Sequence, residues 1–179
     1  VFLFYGITNT NTTYLPAMFQ NNGLSMNTTS SIIFILTLSE LPVIFFSNQY
    51  MNKLTNKQLL IDIFILLIIQ FFTYSFIHLP LIITIVSICT KAVATMLFIM
   101  LNLKIVSTIV ETKYQMSALA LVQTCRNLGS IVFQIISGYL IDIYSYDTFY
   151  LILCLLSLMT MIIVIFYKIP SGNDQRLFD

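Results

Sequence analysis

Hydrophobic positions along the chain fall into six long runs, about 1–20, 30–50, 58–77, 81–103, 115–141 and 148–167, with short polar breaks between them. Each run is close to the ~20 residues that a helix needs to cross a hydrocarbon core of about 30 Å. None of them alternates apolar and polar residues with a period of two, as the ~10-residue strands of a membrane barrel do. The pattern predicts an all-α membrane protein. Its six transmembrane helices form one bundle over residues 1–168, and residues 169–179 follow as a polar cytoplasmic tail expected to be disordered.

Polar residues interrupt some runs and spare others. The first carries Thr8, Asn9, Thr10, Asn11, Thr12 and Thr13, too polar a series for a helix facing lipid all round, so one face is expected to line a cavity. The second holds Glu40 at its centre, with Pro42 two positions on, where a kink is expected. The fourth holds Lys91 on a face shared with Thr84, Ser87, Thr95, Phe98 and Asn102. The fifth holds Arg126 on a stripe with Gln123, Ser130, Gln134 and Ser137. The third and sixth are bland and read as lipid-facing packing helices. Asp62 is read as an acid of the third helix's first turn, which suits the helix dipole.

Composition strengthens this picture: 58% of the 179 residues are hydrophobic and only 8% are charged. Three of those charges, Glu40, Lys91 and Arg126, fall near mid-depth. Each costs about 2.5–3.5 kcal/mol on insertion scales, so isolating all three would consume on the order of 8–10 kcal/mol, as much as the stability of a whole domain. They are therefore expected to converge on one polar interior. Glu40 can balance only one of the two cations. The remaining positive charge needs an acid from elsewhere in the protein, an anionic group on a solute, or water. Glu40 is the candidate protonatable or solute-bonding carboxylate, and Lys91 and Arg126 are candidate solute anchors or counter-ions. Asn9, Thr12, Gln123 and Ser130 are candidates for neutral hydrogen bonding to a solute. The bland alternative is an ion pair that fixes helix register, with the Asn/Thr run as glue between helices.

Other classes find no support. A net charge of +1 implies no nucleic-acid partner. Cys89, Cys125 and Cys154 all lie inside apolar runs and read as buried small hydrophobes rather than a disulfide framework or metal site. No cofactor, metal-ligand spacing, phosphate loop or catalytic constellation appears, so the chain does not read as an enzyme. His78 reads as a solvated loop histidine. Asn11-Thr12-Thr13 and Asn27-Thr28-Thr29 match the glycosylation sequon only weakly. Lys53, Lys57, Lys104, Lys113, Lys168 and Arg176 all fall on one side of the six-helix layout, which makes that side, and the C-terminus, cytoplasmic. The start at Val1-Phe2-Leu3 reads as the middle of something longer, so the chain is expected to be a fragment.

Two loops carry a family resemblance. Asn52-Lys53-Leu54-Thr55-Asn56-Lys57 is similar to the Asp-Arg-x-Gly-x-Lys loop between the eighth and ninth helices of the major facilitator superfamily, with Asn52 for the Asp and Thr55 for the Gly. Gly138 and Asp142 match the Gly-x-x-x-Asp end of that superfamily's eleventh helix. The chain resembles the C-terminal half of such a transporter, helices seven to twelve, over nearly its whole length. Ser39-Glu40-Leu41-Pro42 with Phe45-Phe46 is similar to the Gly-Glu-Leu…Phe-Phe of the group that includes lactose permease, other oligosaccharide–proton symporters and nucleoside permeases, where the Glu contacts sugar. Arg126 falls where that group has a membrane-buried lysine. Lys91 falls in the helix that holds its basic and proton-coupling cluster. That cluster's His and Glu have no clear counterparts, the nearby positions being Ala94, Thr95 and Leu97, and the Asn/Thr run replaces two aspartates of the seventh helix.

The resemblance implies half of a secondary active transporter in the cell membrane, multi-pass, moving a small polar solute (a sugar, nucleoside or related metabolite) with protons, by alternating access against a missing N-terminal six-helix half. A multidrug or metabolite exporter of the same fold and a non-transporting membrane scaffold subunit are the alternatives.

Overall fold

The computed structural model describes residues 1–46, 51 and 53–167. Tyr50, Asn52, Lys168, Arg176 and the tail 169–179 lie outside the described residues. The elements are helices: α1 (Phe2–Asn21), α2 (Met26–Leu38), α3 (Glu40–Phe45), α4 (Asn56–Phe76), α5 (Pro80–Ile109), α6 (Gln115–Ile143) and α7 (Tyr146–Phe166), with a 3₁₀ turn at Thr112–Tyr114. Among the described residues, five helical stretches are long and apolar enough to span a bilayer: Met26–Phe45, Asn56–Phe76, Pro80–Ile109, Thr112–Ile143 and Tyr146–Phe166. The first helix, α1, is not among them, and its Asn/Thr run is the physical reason.

Local chemistry sets the boundaries. The second span starts at Met26, ahead of the expected residue 30, because the Ser25 hydroxyl caps it by accepting from the Thr28 N–H. Helix α4 starts at Asn56 behind a capping box in which Thr55 and Gln58 each satisfy the other's backbone N–H. That start places Asp62 beyond the first turn, exposed, instead of in it. The second span breaks at Ser39, between α2 and α3. Pro42 lies three residues further on. Its ring crowds the carbonyl four residues back, that of Leu38, and it has no N–H to donate there, so the ladder ends at Leu38. Helix α5 continues past the expected end at residue 103 to Ile109 and takes Lys104 into its body.

The bundle packs as two linked groups. Helix α4 packs most extensively against α7 and α5, while α1 packs along α6, and α2 and α3 lean on α5. Helix α4 is not bland throughout: Leu59, Ile63, Phe64, Leu67, Gln70, Phe71 and Tyr74 are buried, and the opposite face presents Ile65, Ile69, Phe72 and Phe76 outward. That is the pattern of a helix at the lipid boundary with one face in the core. The rings of Phe4 (α1) and Phe98 (α5) stack at 3.6 Å, which joins the two groups. Phe98 therefore belongs to the core rather than to a polar face. Contact between α1 and α6 requires glycine. A Cβ on Gly129 would lie 2.5 Å from the Phe2 carbonyl oxygen, and one on Gly6 would lie 2.6 Å from the Phe133 ring.

The two ends are tied differently. At one, Lys57 Nζ donates to the Ile165 carbonyl at 2.6 Å and the buried Lys104 Nζ donates to the Met51 carbonyl at 2.9 Å. At the other, the Ser75 hydroxyl donates to the Asp147 carbonyl at 2.9 Å and His78 lies 3.8 Å from the Asp147 carboxylate. Two sequence expectations change here. Lys104 is a buried helical residue and not a loop cation. Cys89 is exposed and Cys125 and Cys154 are half-buried, so the cysteines are free but not core residues.

Candidate solute site

Glu40 opens α3 immediately after the break at Ser39, and Lys91 sits on α5 facing it. The two half-buried side chains act on each other electrostatically but do not close to a 4.0 Å ion pair. Neither makes a hydrogen bond to another described residue. An isolated charge of either sign would be costly at this depth, and each offsets the other's cost across the gap.

Arg126 does not join them. Its guanidinium lies over the Tyr5 ring of α1, 4.8 Å from the centroid, a cation–π contact. Among the described residues it has no carboxylate and no hydrogen-bond partner. The expected convergence of three charges on one point thus resolves into two loci: a Glu40–Lys91 pair between α3 and α5, and an Arg126–Tyr5 pair between α1 and α6.

The Asn/Thr run and the α6 stripe meet each other. Asn9 Nδ2 donates to the Ser130 hydroxyl, Gln134 Nε2 donates to Thr13 Oγ1 at 3.1 Å, and the Tyr14 hydroxyl donates to the Gln134 carbonyl at 3.2 Å. These residues form a seam between helices, so one face of α1 carries packing polar groups rather than only a cavity lining. Thr12 points outward and bonds its own helix at the Thr8 carbonyl, 3.0 Å away. Gln123 is exposed on α6. Thr10 and Asn11 are buried with Thr10 Oγ1 and Asn11 Oδ1 unpartnered.

Sequence reasoning missed one polar cluster. The fully buried Tyr74 accepts from Gln70 Nε2 at 2.9 Å and bonds the Ser87 hydroxyl, which in turn donates to the Ile83 carbonyl. Ser87 was assigned to the Lys91 face, and here it turns toward α4. The only signal was Gln70, a lone amide in an apolar run. Of the loop residues, Lys53 is exposed, Lys57 reaches α7, Asp142 is exposed and Gly138 faces the Tyr14 hydroxyl. Asn52 lies outside the described residues.

Five described helices long and apolar enough to cross a bilayer fit a multi-pass membrane protein. The Major Facilitator Superfamily model matches residues 1–177, so the chain belongs to that superfamily of transporters. Comparison with curated proteins gives no match. The six-segment, all-helical bundle is consistent with half of the superfamily's fold.

Proposed function

We propose that the chain forms one half of a secondary active transporter that moves a small polar solute, a sugar, nucleoside or related metabolite, by alternating access. A second six-helix half supplies the facing wall of the site, and rocking of the two exposes that site to each side in turn. The observation that carries this reading is the Glu40–Lys91 pair at a helix break, held close without contact. A helix broken at membrane depth is tolerated where it lines a cavity. A carboxylate that shares its field with an ammonium can trade a proton for a solute, which makes Glu40 the coupling group of a proton symport. In this reading the exposed Thr12 and Gln123 meet the solute's neutral groups, with the hydrogen-bonding capacity that Asn9 and Ser130 keep beside their mutual bond. Lys53, Lys57 and Lys113, gathered at one end of the bundle, support a cytoplasmic location for that end and for the C-terminus under the positive-inside rule.

Cysteine accessibility tests it. With Cys89, Cys125 and Cys154 replaced, single cysteines at positions 40, 91, 123 and 130 should react with a small membrane-impermeant thiol reagent, and cysteines at Ile68 and Ile162 should not. Silence at all four positions would mean a sealed interior and would remove the transport reading.

A further inference from the structure

We infer that Arg126 and Tyr5 form a subsite for an organic monoanion, a carboxylate carried on a flat or unsaturated body. This rests on the transport reading above and narrows its solute from a sugar or nucleoside to a related metabolite that carries a carboxylate. Glu40 and Lys91 carry opposite charges and act on each other at their own locus. Arg126 is left with a full positive charge and, among the described residues, neither an acid nor a hydrogen-bond partner. Its guanidinium carbon lies over the Tyr5 ring, 4.8 Å from the centroid, and its forked N–H donors, whose geometry matches a carboxylate, have no hydrogen-bond partner among the described residues. A cation held over a ring with its N–H donors unpaired is suited to an oxyanion.

The ring holds the arginine without neutralising it. Tyr5 is itself buried, packed against Phe4 and Phe98 with ring centroids 5.5 and 5.3 Å away, so it forms a rigid platform. Charge decides between oxyanions. One uncompensated positive charge balances a monocarboxylate, whereas a phosphate monoester brings about −1.5 to −2 and would leave the site negative. Around Arg126 the exposed Gln123 and Asn127 and the half-buried Ser130 add neutral donors on the same helix, and none adds a carboxylate.

The test uses the full chain reconstituted in liposomes, with benzoate as probe. Phenylglyoxal modifies accessible arginines, and the peptide holding Arg126 can be followed by mass spectrometry against the one holding Arg176. Benzoate should slow modification of Arg126 by the factor 1 + [L]/Kd, about tenfold at roughly ten times Kd, and leave Arg176 unchanged. Benzamide, the same shape without the charge, should not protect, and phenyl phosphate should protect less than benzoate. Equal protection by benzamide, or none by benzoate, overturns the inference. So does an Arg126 that resists phenylglyoxal throughout, because an acid from elsewhere in the protein then occupies it. If the cysteine positions of the transport test still label in any of these cases, the transport reading stands and only the anion subsite falls. Benzoate binding by equilibrium dialysis gives a second readout: Tyr5→Phe should retain it and Arg126→Gln should lose it.

Discussion

Arg126 on α6 lies over Tyr5 on α1, and this contact is one rung of a ladder. Four residues further along each helix Asn9 bonds Ser130, and four beyond that Thr13 bonds Gln134, each with the same separation of 121 residues. Numbers that rise together on both sides mean that the two helices run parallel. A four-residue step keeps the rungs on one face of each helix. Cation–π and hydrogen-bonded rungs thus hold α1 and α6 in a single register, which lets them move as one element during any rocking of the bundle.

Gly129 sets how close those helices come. Alanine there would drive its methyl group to 2.5 Å from the Phe2 carbonyl, a backbone atom that cannot swing aside. Gly129→Ala should therefore cost about 1–3 kcal/mol, as overpacking in a tight contact does. At Gly138 the nearest atom is the Tyr14 hydroxyl at 3.2 Å, the end of a movable side chain, so Gly138→Ala should stay within about 0.5 kcal/mol. Thermal unfolding in detergent, followed by a thiol-reactive dye, should rank Gly129→Ala clearly below Gly138→Ala. The reverse order would mean that the helices do not cross where described.

The Glu40–Lys91 pair should behave as a unit. Glu40→Gln leaves Lys91 unbalanced and Lys91→Met leaves Glu40 unbalanced, so each single change should lower stability by about 1 kcal/mol or more. The double variant removes both charges and should recover part of that loss, with a coupling of about 0.5–3 kcal/mol. If Glu40 is the coupling carboxylate proposed above, transport should not recover in the double variant. Additive losses in the cycle would show that the two charges do not sense each other.

Some of this was legible in the residues and some was not. Apolar run length pointed to the helices because bilayer thickness imposes it, and among the described residues five of them are long and apolar enough to span, α1 being the exception. The break near Glu40 followed from Pro42. Helix ends were misplaced where a polar residue found an unexpected partner: Ser25 caps α2 early, and Lys104 stays inside α5 because the Met51 carbonyl receives its ammonium. Pairing of α1 with α6 was hidden because polar stripes read alike whether they face water or each other. The three charges were legible as a problem of cost. That an aromatic face would take Arg126, leaving Glu40 and Lys91 to each other, depends on which helices touch, and a single sequence does not encode that in any local pattern.

Lys104 ties the segment after α3 to α5. Its amine is buried and donates to the Met51 carbonyl at 2.9 Å. Lys104→Met preserves the aliphatic stem and orphans that carbonyl, at a cost of about 1–2 kcal/mol. The neighbouring loop at Lys53 should open more often in consequence. Limited trypsin digestion of the reconstituted protein should cleave after Lys53 several times faster in Lys104→Met than in the unmodified chain. Equal rates would show that the bond does not hold the loop.

The buried Tyr74 hydroxyl joins α4 to α5, and its removal separates bond strength from the cost of an orphan. Tyr74→Phe keeps the ring packed on Tyr150, with centroids 5.0 Å apart, but strips Gln70 Nε2 of its acceptor. Gln70 Oε1 already lacks a partner, so the whole buried amide would be left unsatisfied. Tyr74→Phe should therefore cost about 1–2 kcal/mol, more than the ~0.6 kcal/mol average for a hydrogen bond between membrane helices. Pairing it with Gln70→Leu removes the stranded amide, and the double variant should melt higher than Tyr74→Phe alone. If the double variant melts lower, Gln70 is held by something other than Tyr74, and the cluster between α4 and α5 contributes through packing instead of through its hydrogen bonds.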